Sequence, residues 1–168
     1  MRHTRLILTR ACVAVLCVLL VQGCGYDGSE VSEKMPAADF TLKLFDGGDF
    51  RLSDHKGTPV VINFYASWCL ACGIGVFNLE KVYKDYADKK VLFVGVAVQD
   101  TEEKAKKFLA KHGITYPSGL DGDGTIKADY GVVGHPFTFF VDRKGLIAYI
   151  HPGSITEELL KYELEKIL

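Results

Sequence analysis

Two cysteines, Cys69 and Cys72, carry the chemistry that this sequence can do. They stand in Trp68-Cys69-Leu70-Ala71-Cys72, directly after the apolar run Pro59–Tyr65 and at the opening of a helical pattern. Two intervening residues let the sulfurs meet within one helical turn and close a disulfide. Cys69 falls at the helix N-terminus, where unpaired backbone N–H groups and the helix dipole favour a thiolate. Cys72, one turn further in, suits the resolving role, attacking a mixed disulfide formed on Cys69. Such a pair exchanges with disulfides on other molecules. A purely stabilising bond is the weaker reading, because closing so short a loop constrains little of the unfolded chain. Zinc would need two more ligands, and His55, His112, His135 and His151 show no close pairing in sequence.

A second segment stands out: Gly131-Val132-Val133-Gly134-His135-Pro136-Phe137-Thr138-Phe139-Phe140-Val141-Asp142. Pro136 stands at the mouth of a strand, where a trans proline is awkward, and is a candidate cis-proline. His135 stands immediately before it; in a fold that sets the cis-proline against the cysteines, as the resemblance given below implies, it lies near the sulfurs. As a cation it would stabilise the Cys69 thiolate and make the protein a stronger oxidant; its bland alternative is a partly exposed loop histidine. Two thiolates with one imidazole also suit Cu(I). A Cu(I)-binding chaperone using Cys69, Cys72 and His135 is therefore the competing class. Asp121-Gly122-Asp123-Gly124 begins like a calcium loop, but Ile126 and Val132 stand where Gly and Glu are needed, so it reads as a turn.

The elements around these residues follow from their periodicity. Phe40–Leu44 and Phe50–Leu52 alternate apolar and polar about Asp46-Gly47-Gly48, a β-hairpin. Residues 59–65 and 91–98 are continuous apolar strands of the kind buried on both faces of a parallel sheet, and between them Val76, Leu79, Tyr83 and Tyr86 keep helical spacing. Ala105, Phe108, Leu109 and His112 line one face of a second helix; Asp100 with Glu103 resembles its capping box and Gly113 its stop. Strands are expected at 137–142 and 146–150, joined by Asp142-Arg143-Lys144-Gly145. Ser154 with Glu157 resembles a capping box opening a last helix over Ile155, Leu159, Leu160, Leu164 and Ile167. The expected class is α/β, a mixed sheet with helices on both faces.

The 168 residues have 48% hydrophobic and 24% charged side chains, an ordinary globular mixture. A net charge of −1 offers no basic surface to displace phosphate counterions, so nucleic acid is not an expected partner. The charge is unevenly placed: Arg2, Arg5 and Arg10 precede the uncharged run Ala11–Val21, and no acid occurs before Asp27. Eleven helical residues span about 16 Å, short of a bilayer core of ~30 Å. This is the pattern of an export signal. Val21-Gln22-Gly23-Cys24 then resembles a lipobox, in which Cys24 is lipidated and becomes the new N-terminus. An ordinary cleaved signal and an uncleaved anchor are the alternatives, and all three export the domain. The expected organisation is a lipoprotein signal peptide over 1–23, a lipidated Cys24 and flexible tether over 24–38, and one domain over 39–168. With Cys12 and Cys17 in the leader and Cys24 lipidated, only Cys69 and Cys72 remain in the folded part.

Taken together, the strand-Trp-Cys-x-x-Cys-helix, the segment Gly131-Val132-Val133-Gly134-His135-Pro136-Phe137-Thr138-Phe139 and the hairpin opening Asp39-Phe40-Thr41-Leu42 resemble the membrane-anchored thioredoxin-like reductases of the TlpA/ResA type. The resemblance runs from about Asp39 to the C-terminus. It implies a thioredoxin-like fold, Cys69 as nucleophile, Cys72 as resolving thiol and Pro136 as the cis-proline facing them. It also implies an exported protein thiol-disulfide oxidoreductase that reduces disulfides of exported proteins, in that family often during cytochrome c maturation. Trp68 with Gly134, His135, Pro136 and Phe137 would rim a shallow groove for the substrate peptide. Exchange needs no cofactor; a reductant outside the cytoplasm needs a membrane electron donor, and a monomer facing the periplasm or cell exterior is expected. Asn63 stands where thioredoxin itself has a buried aspartate, which the TlpA/ResA relatives also lack. Two positions depart from the family: Gly75, where several relatives have a glutamate, and Phe77, where a helix proline is usual. A peroxidase reading fails at Val61 and Ala66, where a peroxidatic cysteine would require Pro and Thr.

Overall fold

The computed structural model describes residues 34–168. The leader, Cys12, Cys17, Cys24 and most of the expected tether lie outside the described residues. The end of that expected tether does not run free. The Ala37 N–H donates to the Gly145 carbonyl at 2.9 Å and the Ile147 N–H to the Met35 carbonyl at 2.8 Å, so residues 35–37 are stitched to the last hairpin of the domain.

A two-stranded hairpin, β1 (Thr41–Lys43) and β2 (Asp49–Arg51), opens the domain. The five-stranded sheet contains β3 (Val60–Tyr65), β4 (Leu92–Val98), β5 (Ser118–Asp121), β6 (Phe137–Val141) and β7 (Ile147–Pro152), in the order β5-β4-β3-β6-β7. β3, β4 and β5 run parallel, while β6 and β7 are antiparallel to their neighbours. The helices are α1 (Leu70–Asp85), α2 (Glu102–His112), α3 (Thr125–Asp129) and α4 (Glu157–Glu165). This is the thioredoxin-like architecture expected, with the hairpin added at its N-terminal side. Among the described residues no helix is long and apolar enough to cross a membrane.

Because side chains alternate along a strand, β3 feeds two cores. Val60, Ile62 and Phe64 meet Phe40, Leu42 and Phe50 of the hairpin region, with Ile126 of α3 and Tyr130. Val61 packs with Leu79 and Val82 of α1 and Leu160 and Leu164 of α4, while Tyr65 packs with Cys72 and Val76 of α1 and Phe108 and Leu109 of α2. Helices do cover both faces, but unequally: three lie on one side, and the other is closed mainly by the hairpin.

β5 and α3 are the elements that the apolar pattern does not announce. Ser118-Gly119-Leu120-Asp121 has no alternation, and its pairing is imposed from outside. Leu44 bridges to Gly119, the Phe45 N–H donates to the Ser118 carbonyl at 2.8 Å, and a Cβ on Gly119 would collide with the Lys43 carbonyl. The Asp121 carboxylate accepts from the Ile126 and Lys127 N–H groups at the start of α3, which makes 121–124 the turn expected there.

Candidate active site

β3 delivers the chain to the cysteines, and the loop between strand and helix is tied on both sides. The Ser67 N–H and hydroxyl donate to the two oxygens of Asp100 at 2.5 and 2.9 Å. The Trp68 indole N–H donates to the Gln99 carbonyl at 3.0 Å, and Gln99 is the one non-glycine residue with positive φ (51°) among those described. Cys69 is the N-cap of α1: its sulfur accepts from the Cys72 N–H at 3.2 Å. Cys69 and Cys72 are joined by a disulfide, with Cα atoms 5.3 Å apart. Cys69 is partly exposed and Cys72 fully buried, so an incoming sulfur can reach Cys69 first.

Across from them the His135–Pro136 bond is cis. The His135 carbonyl lies 3.6 Å from the Cys69 sulfur, and the Pro136 carbonyl accepts from the Gly153 N–H at 2.7 Å. Gly134 has open space where a side chain would project, and Phe137 begins β6 partly buried. His135 is brought to Cys69, which Trp68 precedes, while Gly134 and Phe137 flank the cis bond in the chain. The His135 ring packs edge-on against Trp68, centroids 4.9 Å apart. Burial first, and the Lys127 charge second, push its imidazole below the usual histidine range. Both disfavour the imidazolium, which runs against the cationic role expected of it. What His135 presents to Cys69 is its backbone carbonyl. Among the described residues no group of three or more His, Cys, Asp and Glu side chains is arranged to hold a metal, with Cys69 and Cys72 joined in their disulfide.

Beneath α1, Asn63 shares the strand face of Val61 and Tyr65. Its Nδ2 donates to Thr138 Oγ1 at 3.1 Å and to the Phe137 carbonyl at 3.3 Å, while its buried Oδ1 has no partner. A side chain at Gly75 would face the Pro136 ring and Ser154, each 3.7 Å from the Cβ position. The helix start therefore lies close to the cis-proline loop.

Two site residues were read from the sequence as something else. Asp100 and Ser154 looked like N-caps, but the caps are Thr101, accepting from the Lys104 N–H, and Thr156, accepting from the Leu159 N–H. The displaced residues hold the redox loop. Asp100 binds Ser67, and the Ser154 hydroxyl donates at 2.6 Å to the carbonyl of Ala71, between the two cysteines. The only signal in the sequence is a threonine one or two positions further on, which makes either residue free for other work.

Large apolar side chains stand exposed on the elements that carry the site: Trp68 (61% exposed) before Cys69, Leu70 (92%), Ile74 (63%) and Phe77 (59%) after it on α1, and Val133 (90%) ahead of the cis-proline. Isolated exposed apolar residues are ordinary; a run of them along one helix is less so.

The comparisons agree with this geometry. The model of the AhpC/TSA family matches residues 33–150. The thioredoxin-like protein YneN of Bacillus subtilis is 34% identical over 161 residues, covering 88% of this chain and 94% of that protein. The thiol-disulfide oxidoreductase ResA of Geobacillus thermodenitrificans is 30% identical over 161 residues, covering 91% of this chain and 92% of the relative. Among solved structures, dsbF of MTB, in mixed oxidized and reduced forms, superposes with a TM-score of 0.73 at 29% identity, covering 80% of this chain and 99% of the other.

Proposed function

We propose, for a chain that belongs to the AhpC/TSA family and is a thiol-disulfide oxidoreductase of the ResA kind, that it reduces disulfides of exported proteins outside the cytoplasm. The Cys69 thiolate attacks one sulfur of a substrate disulfide; the new S–S bond joins Cys69 to the substrate, and the other substrate sulfur leaves as a thiolate and takes a proton from water. The Cys72 thiolate then attacks Cys69, closing the Cys69–Cys72 bond and releasing the second substrate thiol. The substrate gains two electrons and the protein loses two, so a membrane partner must return them. Lipid attachment at Cys24 would keep the domain beside that partner, as a monomer on its tether. The resemblance to TlpA/ResA proteins extends the substrates to those of cytochrome c maturation.

What supports the direction is the cis-proline side of the site: His135 turns its backbone carbonyl to the Cys69 sulfur at 3.6 Å, and burial holds its imidazole below the usual histidine range. A thiolate without an imidazolium beside it is less stabilised, and the reduced form is correspondingly the stronger reductant. The test is the equilibrium potential of the Cys69–Cys72 pair against a thiol redox buffer. A value at or below that of thioredoxin, about −270 mV, is expected; a value near −120 mV would make the protein an oxidant and overturn the reading. Reduction of an oxidised Cys-x-x-Cys-His peptide tests the substrate class, and mass analysis of membrane-extracted protein tests Cys24.

A further inference from the structure

One amide group at the redox site is held at both of its ends. The peptide unit that joins Ala71 to Cys72 carries the Ala71 carbonyl and the Cys72 N–H. Its N–H donates to the Cys69 sulfur at 3.2 Å and shares that hydrogen with the Cys69 carbonyl at 3.1 Å. Its carbonyl accepts from the Ser154 hydroxyl at 2.6 Å.

The loop that carries Ser154, between β7 and α4, is tied on either side of it. The Gly153 N–H donates to the Pro136 carbonyl at 2.7 Å, with Gly153 at φ 92°, a conformation that glycine adopts without strain. Asn78 of α1 donates from Nδ2 to the Ile155 carbonyl at 2.8 Å, and the Ile155 side chain is buried. The loop also meets α1 at Gly75, where a Cβ would lie 3.7 Å from Ser154 Cα. The serine hydroxyl is therefore presented to the Ala71 carbonyl from a fixed backbone.

A hydrogen bond to an amide oxygen draws electron density from the nitrogen and makes the N–H of the same unit a better donor; linked bonds strengthen one another by roughly 10–30%. We propose that Ser154 tunes the redox pair through this peptide group: its hydroxyl polarises the Ala71–Cys72 amide and so strengthens the N–H bond that the reduced Cys69 sulfur receives. Reduction by a dithiol puts two electrons into the Cys69–Cys72 bond. Cys69 is left as a thiolate, Cys72 takes one of the dithiol's two protons, and the other goes to solvent. In the disulfide the Cys69 sulfur is a weak, neutral acceptor, and the Cys72 N–H divides between it and the Cys69 carbonyl. A thiolate is a charged acceptor, for which such bonds are roughly twice as strong, so it draws the N–H away from the neutral carbonyl. The contribution of Ser154 thus falls mainly on the reduced form. Ser154 acts through the peptide group and is a positioning residue, and its role rests on Cys69 being the attacking sulfur.

The experiment equilibrates the full-length chain with a glutathione buffer at pH 7 for wild type, Ser154→Ala and Ser154→Thr. Ser154→Ala removes the donor and is expected to lower the equilibrium constant for reduction about threefold, which is about 14 mV for this two-electron couple. Ala71 is exposed, and a water that replaces the hydroxyl lacks the ties of the loop, which limits the loss to a few-fold. Ser154→Thr keeps the hydroxyl and is expected to match wild type. In the reduced protein the Cys72 amide proton resonance should move upfield in Ser154→Ala and stay in place in Ser154→Thr. A purely structural role would lower the unfolding free energy of the oxidised and reduced forms alike and leave both the potential and the Cys72 resonance unchanged, and that result overturns the proposal. So does a Ser154→Thr variant that shifts as far as Ser154→Ala. Mapping the first cysteine alkylated in the reduced protein separates the premise from the proposal. Alkylation at Cys69 with an unchanged potential overturns the proposal alone, whereas alkylation first at Cys72 overturns the reading of Cys69 with it. None of these outcomes depends on the direction of electron flow in the cell.

Discussion

The helices α1 and α2 lie on the same face of the sheet and differ in what they turn outward. α2 buries Ala105, Phe108 and Leu109 and shows solvent a row of charges, with Lys106–Glu102 and Lys107–Glu103 paired one turn apart. α1 buries Cys72, Val76, Leu79 and Val82 in the same way, yet its first turns show solvent Leu70, Ile74 and Phe77. A solvated helix has no use for an apolar outer face. The inner faces therefore do the same work, holding the sheet, and only the outer faces differ, charged on α2 and apolar over the first turns of α1. The largest effect comes from breaking the inner face. Leu79→Ala opens a fully buried contact between α1, β3 and α4 and is expected to cost about 2–5 kcal/mol in urea unfolding. The disulfide potential should change little, since Leu79 lies more than two turns from Cys69.

The next effect lies where the two helices are tied together by way of the redox loop. Asp100, just before α2, accepts two hydrogen bonds from Ser67, just before α1. Asp100→Ala is expected to cost about 1.5–3 kcal/mol, the range for hydrogen bonds to a charged group. Amide exchange at Ser67 and Trp68 should accelerate more than in the rest of the domain. A stability loss without local exchange at those two amides would show that Asp100 supports α2 alone.

Glu80 ties the other end of the pair, reaching from α1 to the turn after α2. It accepts from the Thr115 N–H at 2.7 Å and hydroxyl at 2.6 Å, and pairs with Lys84 at 2.9 Å. Burial alone would raise its carboxyl; these partners outweigh it and hold it below the usual range. A depressed carboxyl contributes stability that is present above the unfolded-state range, about 4.3, and is lost as pH falls through the lower folded value. Glu80→Gln should therefore cost about 1–2 kcal/mol at pH 7 and progressively less toward pH 3. Parallel stability curves for the two proteins across that range would mean that its charge contributes nothing.

The legible and illegible parts of this molecule divide along the same line. β3, β4, α1 and α2 were readable because runs such as Val60–Tyr65 and the spacing of Val76 and Leu79 report burial, and burial has a period. The cysteines and the cis-proline segment were readable because few residue types can do their chemistry. Asp100 and Ser154 were misread as caps because a helix cap and a loop clamp ask for the same short oxygen-bearing side chain. Only the fold decides which N–H or carbonyl it meets. β5 was missed because the hairpin selects Gly119, not its own periodicity. The exposed Leu70, Ile74 and Phe77 continue a helical pattern with no break between core and contact surface.

The smallest effect on stability, and the sharpest separation of the two helices, is expected from that outer face. Ile74 is 63% exposed and contributes little burial to the fold, so Ile74→Asp should change unfolding free energy by no more than about 0.5 kcal/mol. The same substitution puts a carboxylate into the apolar rim around Cys69, where a docking protein would have to desolvate it. Activity on a folded protein disulfide should therefore fall through a higher KM, while reduction of glutathione disulfide, too small to cover the rim, should proceed almost as before. Lys107→Asp on the outer face of α2 is the matched control, expected to alter neither substrate. If Ile74→Asp slows both substrates equally, its effect is on the sulfur chemistry and the rim is not a contact surface. If it slows neither, the apolar face of α1 is left with no partner in this reaction, and the contrast with α2 loses its functional meaning.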